Sequence, residues 1–305
     1  NFYKLLLPFY PIAFETFNLD EYDLVISSTT RFAKSIVTKP KTVHISYLNS
    51  VPRFLYSQNQ KEDHLPRAIQ IILTPYFKWL KKWDMASAQR ADLFLANSQN
   101  VRHKIKKIYK RDSAVVYPFA DTAFFKPSNI AIQQSNNNAY YLVVTRLVKW
   151  KKIEIAINAA KELDLKLIVV GKGSDRTRLE SLASDTIKFV GNLARKELRE
   201  YYQNAKALIM TQDEDFGISS VEAQATGTSV IAFKAGGARE TVIDGKTGLF
   251  FEEQTIKSLK DAIVAHSKLK WEKEVCVANA KRFSKSAFVK NLKQTIDNAC
   301  KLQRS

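Results

Sequence analysis

Glu214-Asp215-Phe216-Gly217-Ile218-Ser219-Ser220-Val221-Glu222 decides how this chain is read. Two glutamates enclose seven residues, and a Phe-Gly pair follows closely on the first. Upstream, Ala207 to Met210 reads as a strand that ends in the loop holding Glu214. Gly217 has no Cβ and lets backbone approach a ligand. A helix is expected to begin near Ser219-Ser220, and its unpaired N–H groups form an anion site. Glu222 falls on the first turns of that helix, on the same crevice. A carboxylate near a reacting centre, amides for phosphates and a second carboxylate for a ribose diol together describe a nucleotide-sugar site.

Working outward, strands are expected at 140–144, 166–170, 187–190, 207–210 and 229–233, with helices such as 151–162, 176–183 and 195–204 between them. This alternation implies a parallel sheet covered by helices on both faces. Ligands then bind beyond the carboxyl ends of the strands. Arg146, Gly173, Glu214 and Gly237 all follow strands directly, so they fall on one rim. A similar series precedes it. Strands are expected over Asp23–Ser27, Thr42–Ser46, Asp92–Ala96 and Ala114–Tyr117. A helical stretch from Pro66 to Arg90 is expected to break near Pro75. Asn97-Ser98 caps a basic helix ending near Tyr109. The polar run Gln133-Gln134-Ser135-Asn136-Asn137-Asn138 is the natural linker. The expected division is 1–135, 136–287 and a final helix, 288–305, that crosses back to the first domain.

The ordered set closely resembles retaining glycosyltransferases of family four, which have the GT-B fold. Tyr140 to Val144 followed by Thr145-Arg146-Leu147 and Lys151 resembles that family's phosphate clamp. Leu167 to Gly173 is similar to its next strand and Gly turn, and Phe189-Val190-Gly191 to the strand end bordering the nucleobase. Thr241 to Leu249 resembles a hairpin of the family. The resemblance implies two Rossmann-like domains facing a cleft, the first on the acceptor side. Related enzymes begin with a Met, a short strand and a Gly-rich turn, whereas this chain opens on Asn1-Phe2-Tyr3-Lys4. Its N-terminal domain is therefore read as incomplete.

Roles follow residue by residue. The donor is a nucleotide sugar, GDP- or UDP-hexose, and no cofactor or metal is expected. Arg146 and Lys151 neutralise the leaving diphosphate, aided by amides at Ser219-Ser220. Glu214 lies against the donor sugar, and Glu222 accepts protons from the ribose diol. Gly173, Gly191, Phe216, Gly217 and Ile218 complete the donor side. The resemblance implies front-side attack rather than a covalent intermediate. Tyr47 to Phe54 resembles a Tyr-x-His-[Ser/Thr]-Pro-x-Arg-Tyr loop of a mannosyltransferase-like branch that builds bacterial surface polysaccharide. Asn49 stands where that loop has His, so proton-linked roles do not carry over. Arg53 is expected to reach donor or acceptor.

Charge bears on partners. The 305 residues carry 48 Lys and Arg against 30 Asp and Glu, and each half of the chain is equally basic. One cluster is Arg102, Lys104, Lys106, Lys107, Lys110 and Arg111; another interleaves Phe77, Trp79 and Trp83 with lysines. The bland reading is two solvated helix faces. The sharper one is docking on an anionic membrane surface, with a lipid-linked or saccharide acceptor. No zinc-finger, RRM or helix-turn-helix signature supports nucleic acid as a partner. Cys276 and Cys300 form no disulfide framework and suit a reducing cytoplasm; the expected location is the inner face of the cell membrane. His44, in a strand, reads as a core histidine. The rival readings are a catalytically inactive transferase-like binding module and a basic nucleic-acid-binding protein.

Overall fold

The computed structural model describes residues 9–56, 67–128 and 139–304; the run at 133–138 lies outside them. Two compact units divide the chain: Asn1–Tyr117 with Val289–Ser305, and Pro118–Phe288.

The first unit is built on a parallel sheet. Helix α1 (Tyr10–Glu15) precedes strand β1 (Leu24–Thr29), which is followed by β2 (Val43–Leu48). Short α2 (Arg53–Tyr56) and long α3 (Arg67–Ser87) lead to β3 (Leu93–Ala96), and α4 (Gln99–Tyr109) to β4 (Ser113–Val115). The strand order is β1-β2-β3-β4, all parallel. Successive crossovers step the same way, so right-handed connection puts α3 and α4 on one face of the sheet. Ser98 caps α4 as expected, its hydroxyl accepting from Val101 N–H at 3.0 Å.

The break expected near Pro75 does not occur; α3 runs through it. A proline removes one helical hydrogen bond, and the packing of Tyr76, Phe77, Leu80 and Trp83 just after it in one hydrophobic cluster outweighs that loss. The aromatic-lysine stretch divides by helical period. Leu80 is fully buried and Trp83 turns inward, edge-on to Phe32 at 5.5 Å with its indole N–H donating to Glu15. Trp79 stays 49% exposed beside Lys78 and Lys82, so only one of the two tryptophans expected at the surface faces outward.

Under α3 lies a closed polar knot. Lys34 and Asp84 are fully buried and paired, and Lys34 Nζ also donates to Arg31 O at 2.8 Å. Tyr56 and Tyr109 hydroxyls donate to Asp84 Oδ2 at 2.8 Å each. His44 is buried in β2 with Nε2 2.9 Å from Ser27 Oγ; burial pushes its pKa down to about 4, as suits a core histidine.

In the second unit, six parallel strands alternate with helices. They are β5 (Tyr140–Val144), α5 (Ile153–Glu162), β6 (Leu167–Val170), α6 (Arg176–Leu182), β7 (Ile187–Val190), α7 (Arg195–Asn204) and β8 (Ala205–Met210). Then come α8 (Ile218–Ala225), β9 (Val230–Phe233), α9 (Ala238–Thr241), β10 (Gly248–Phe251), α10 (Ile256–Ser267) and α11 (Lys273–Lys281); α12 (Lys285–Arg304) begins in this unit and passes into the first at Val289. The order is β10-β9-β8-β5-β6-β7. Near-continuous apolar runs such as Leu142-Val143 and Leu208-Ile209 are buried on both faces, as a covered parallel sheet requires. The hairpin expected over Thr241–Leu249 is instead a turn, closed by Thr247 N–H on Ile243 O and Gly245 N–H on Gly248 O. It feeds β10, which joins β9 in parallel. The helix expected from 151 starts later: Lys149–Lys151 forms a 3-10 turn, Lys152 takes φ 55°, and α5 follows.

Candidate active site

Strand order reverses between β5 and β8. From β5 the chain steps outward to β6 and β7, then returns to β8 on the other side. Loops leaving the carboxyl ends of two such strands diverge and open a crevice, the general ligand position in open parallel sheets. Arg146 and Lys151 follow β5, and Glu214 follows β8, so the three flank this switch point.

The structure brings Lys151 and Glu214 into a direct ion pair, Nζ to Oε1. Both are largely covered, with side-chain exposures of 6% and 19%. Lys151 Nζ also lies 4.2 Å from the centre of the Trp150 ring. Gln212 Nε2 donates to the same Glu214 oxygen at 3.1 Å. Thr211 Oγ1 donates to Lys151 O at 2.7 Å and ties the β8 loop to the 3-10 turn after β5. Gly237 N–H donates to Glu214 O at 2.8 Å. A Cβ on Gly237 would sit 2.3 Å from Phe216 Cα, so only glycine allows this close stacking of two loops. Arg146, by contrast, is exposed, and its guanidinium makes no ion pair among the described residues.

Gly217 ends the Glu214 loop with φ 86° and is the N-cap of α8, where no side chain caps the helix. The helix thus begins at Ile218, one residue earlier than expected. Ser220 N–H is already used by Gly217 O at 3.0 Å, and Ser220 Oγ donates to Gly217 O and approaches Thr241 Oγ1 at 2.7 Å. The helix start therefore offers Ile218 and Ser219 rather than Ser220. Phe216 is buried edge-on to Phe283 at 5.3 Å.

Glu222 sits one turn on, with Tyr202 Oη donating to its Oε2 at 3.1 Å. Burial pushes its pKa up to about 7; the Tyr202 hydrogen bond and the Arg195 charge oppose that rise. Tyr202 is itself buried, edge-on to Phe125 at 5.8 Å. Gly173 packs against the Leu147 carbonyl, and Gly191 follows β7. Asn49 and Arg53 lie in the first unit. Asn49 follows β2, with its amide donating to Ser28 Oγ at 3.2 Å, and Arg53 opens α2.

Gln212, Trp150 and Tyr202 escape a reading of the sequence. Their proximity to the site is set by sheet order, not by spacing, although Trp150 beside Lys151 offers a local cue. Asp213-Glu214-Asp215 does have Asp-x-Asp spacing, which a metal-free reading passes over. The backbone turns Asp213 to solvent and buries Asp215, and no group of three metal-ligating side chains forms among the described residues.

The profile of the family described as "Glycosyl transferases group 1" matches residues 125–283, more than half of the chain. The chain belongs to the group 1 glycosyl transferases. An uncharacterised glycosyltransferase of Methanocaldococcus jannaschii is 25% identical over 92% of this chain and 75% of its own length. The D-inositol 3-phosphate glycosyltransferase of Mycobacteroides abscessus is 27% identical over 57% of this chain. The chain spans about half the length of several such curated relatives, 44% in that case. Among solved structures, sucrose-phosphate synthase of Thermosynechococcus elongatus superposes with a TM-score of 0.75 at 20% identity, covering 91% of this chain and 73% of its own. Anabaena HepE in complex with UDP gives 0.73 at 20%, covering 96% and 83%. These similarities establish the GT-B-like α/β fold.

Proposed function

We propose that this group 1 member is a retaining glycosyltransferase that moves a hexose from a nucleoside diphosphate sugar to a lipid-linked or saccharide acceptor, without a metal. The observation that carries the reading is the Lys151–Glu214 ion pair at the switch point between β5 and β8, on the loop that leads to the uncapped start of α8. Transfer of a sugar leaves a diphosphate whose negative charge grows as the glycosidic bond lengthens. Arg146 and Lys151 supply fixed positive charge there, and the Ile218 and Ser219 amides add the helix dipole. Glu214, held by Gln212 and Gly237, has a defined direction from which to meet sugar hydroxyls or developing positive charge. Glu222 takes the ribose diol, with Tyr202 setting the carboxylate in place.

The fold neighbour HepE was crystallised with UDP and glucose, which makes UDP-glucose a natural first donor to test, beside GDP-mannose. Calorimetric titration of UDP, GDP and their sugars, with and without EDTA, tests the proposal; failure of every nucleotide to bind would overturn it. The acceptor side includes Asn49 and Arg53, at the carboxyl end of β2 and the start of α2.

A peripheral position on the inner face of the cell membrane belongs to the same proposal. No helix among the described residues is long and apolar enough to cross a membrane. From Arg67 to Arg111 eleven Lys and Arg face two acids, and one of those, Asp84, is buried. Trp79, Lys78 and Lys82 on α3 and Arg102, Lys106 and Lys107 on α4 point outward on the same side of the sheet. Such a surface suits an anionic bilayer.

A further inference from the structure

Beyond the carboxyl end of β1 the first unit holds a cavity of about 430 Å³ that the donor site does not use. Its size falls within the ~300–1,000 Å³ of small-molecule sites. Four rings line it: Tyr10 and Phe14 from α1, Phe17 from the loop after it, and Phe32 from beyond β1. Tyr10 meets Phe32 edge-on at 6.1 Å, and Phe14 meets Phe17 in the same manner at 6.0 Å, so the walls are interlocked. Apolar surface continues around the mouth, where Phe9, Ile12 and Phe17 are 60%, 61% and 56% exposed. An exposed apolar rim of this kind on a very basic protein marks a contact surface.

Four lining residues carry polar side-chain groups: Tyr10, Thr29, Thr30 and Arg31. Thr29 Oγ1 already accepts from Arg31 N–H at 2.8 Å and from Ala33 N–H at 3.3 Å. Arg31 is the one charge in the lining. Its guanidinium is exposed, stands 5.7 Å from the centre of the Phe54 ring, and makes no ion pair or hydrogen bond among the described residues. The buried Lys34 nearby is neutralised by Asp84 and takes no part. A sugar would bring several hydroxyls to a lining whose exposed polar groups are Thr30 and Arg31 among four rings, at a cost for each hydroxyl left unpaired. An apolar body carrying a single anionic group fits what is present, since the rings cover the body and the planar guanidinium matches a phosphate.

We propose that this cavity binds the apolar portion of a lipid phosphate, with Arg31 on the phosphate, as the acceptor subsite of the transferase. The assignment to an acceptor rests on the proposed function; the binding chemistry does not.

The test uses calorimetry on the whole chain with geranyl phosphate, geraniol, inorganic phosphate and glucose. Geranyl phosphate is expected to bind and inorganic phosphate alone to bind far more weakly. Arg31→Gln is expected to weaken geranyl phosphate by about ten- to a hundredfold, the effect of losing one hydrogen-bonded charge, while geraniol is unaffected. Arg31→Lys should restore part of the loss. Ala13 is exposed on the cavity wall, so Ala13→Trp fills the space without disturbing a core and should abolish binding of both geranyl ligands. UDP affinity is expected to be unchanged in all three variants. Geranyl phosphate binding that survives Ala13→Trp, or glucose binding where geranyl phosphate does not, would overturn the proposal. An unsubstituted chain that binds geranyl phosphate by these criteria but no nucleotide would support the cavity and refute the donor site.

Discussion

Removing one hydroxyl, in Tyr202→Phe, tests how Glu222 is tuned. In the folded chain burial raises the Glu222 pKa from 4.5 to about 7, against the pull of the Tyr202 hydrogen bond. That bond is 3.1 Å long and stabilises the carboxylate. A hydrogen bond to a charged group contributes about 1.5 kcal/mol, so its loss should raise the pKa by about one more unit, towards 8. The ring stays in place because Phe keeps its edge contact with Phe125. At pH 7.5 the ionised fraction would fall from about three quarters to about one quarter, so nucleotide affinity should drop about threefold. At pH 9 the difference should nearly vanish. The sign for stability follows from proton counting. The folded state holds a proton that the unfolded chain releases above pH 4.5, so stability falls as pH rises from about 5 to about 7 and then levels. The span amounts to about 3 kcal/mol. Carbon-13 titration of the labelled carboxyl, with UDP calorimetry at each pH, reads both effects. A Glu222 pKa that stays fixed or drops in Tyr202→Phe would refute the reasoning.

The proposed donor site yields further expectations. UDP or GDP binding should survive EDTA and weaken in Arg146→Ala; an absolute need for Mg²⁺ in calorimetry would sink the metal-free reading. Glu214→Ala leaves Lys151 covered and without its carboxylate, so thermal unfolding should show a loss of about 3–5 kcal/mol, and Glu214→Gln a smaller one. Turnover should fall more than UDP affinity in Glu214→Gln, whereas Glu222→Gln should chiefly weaken UDP; the reverse pattern would exchange the two roles. Sedimentation with anionic vesicles should capture the chain and release it in salt, because attraction decays within a Debye length of ~8 Å at physiological ionic strength. Trp79→Ala combined with Lys78→Gln and Lys82→Gln should reduce capture while Trp83→Phe should not, since Trp83 faces the core.

How much of this was legible in the sequence depended on how local each feature is. The strands of the second unit announced themselves as apolar runs between glycines, and the Gly217 loop followed from its position after Met210. What pairs with what did not. Lys151 and Glu214 are 63 residues apart, and their contact exists only because β5 and β8 are neighbours in the sheet. Strand β10 was hidden because Asp244-Gly245 reads as a hairpin turn, although the strand it introduces pairs in parallel with β9. Pro75 misled for the opposite reason. A local rule predicts a break, and packing of the residues that follow it overrides the rule. Periodicity alone separates Trp79 from Trp83, four residues apart, only once the buried side of α3 is known.

The place of the switch point has a consequence for how the second unit is assembled. Strands β5, β6 and β7 form one consecutive half of the sheet and β8, β9 and β10 the other, joined along the β5–β8 edge. The first half carries the cations, Arg146 and Lys151; the second carries Glu214 and the start of α8. Neither half contains a site. Polypeptides cut between β7 and α7 would each hold one member of the Lys151–Glu214 pair, which would lie across the seam that reunites them. Docking of the halves and recovery of the Lys151–Glu214 pair would then be a single event, measurable by one signal.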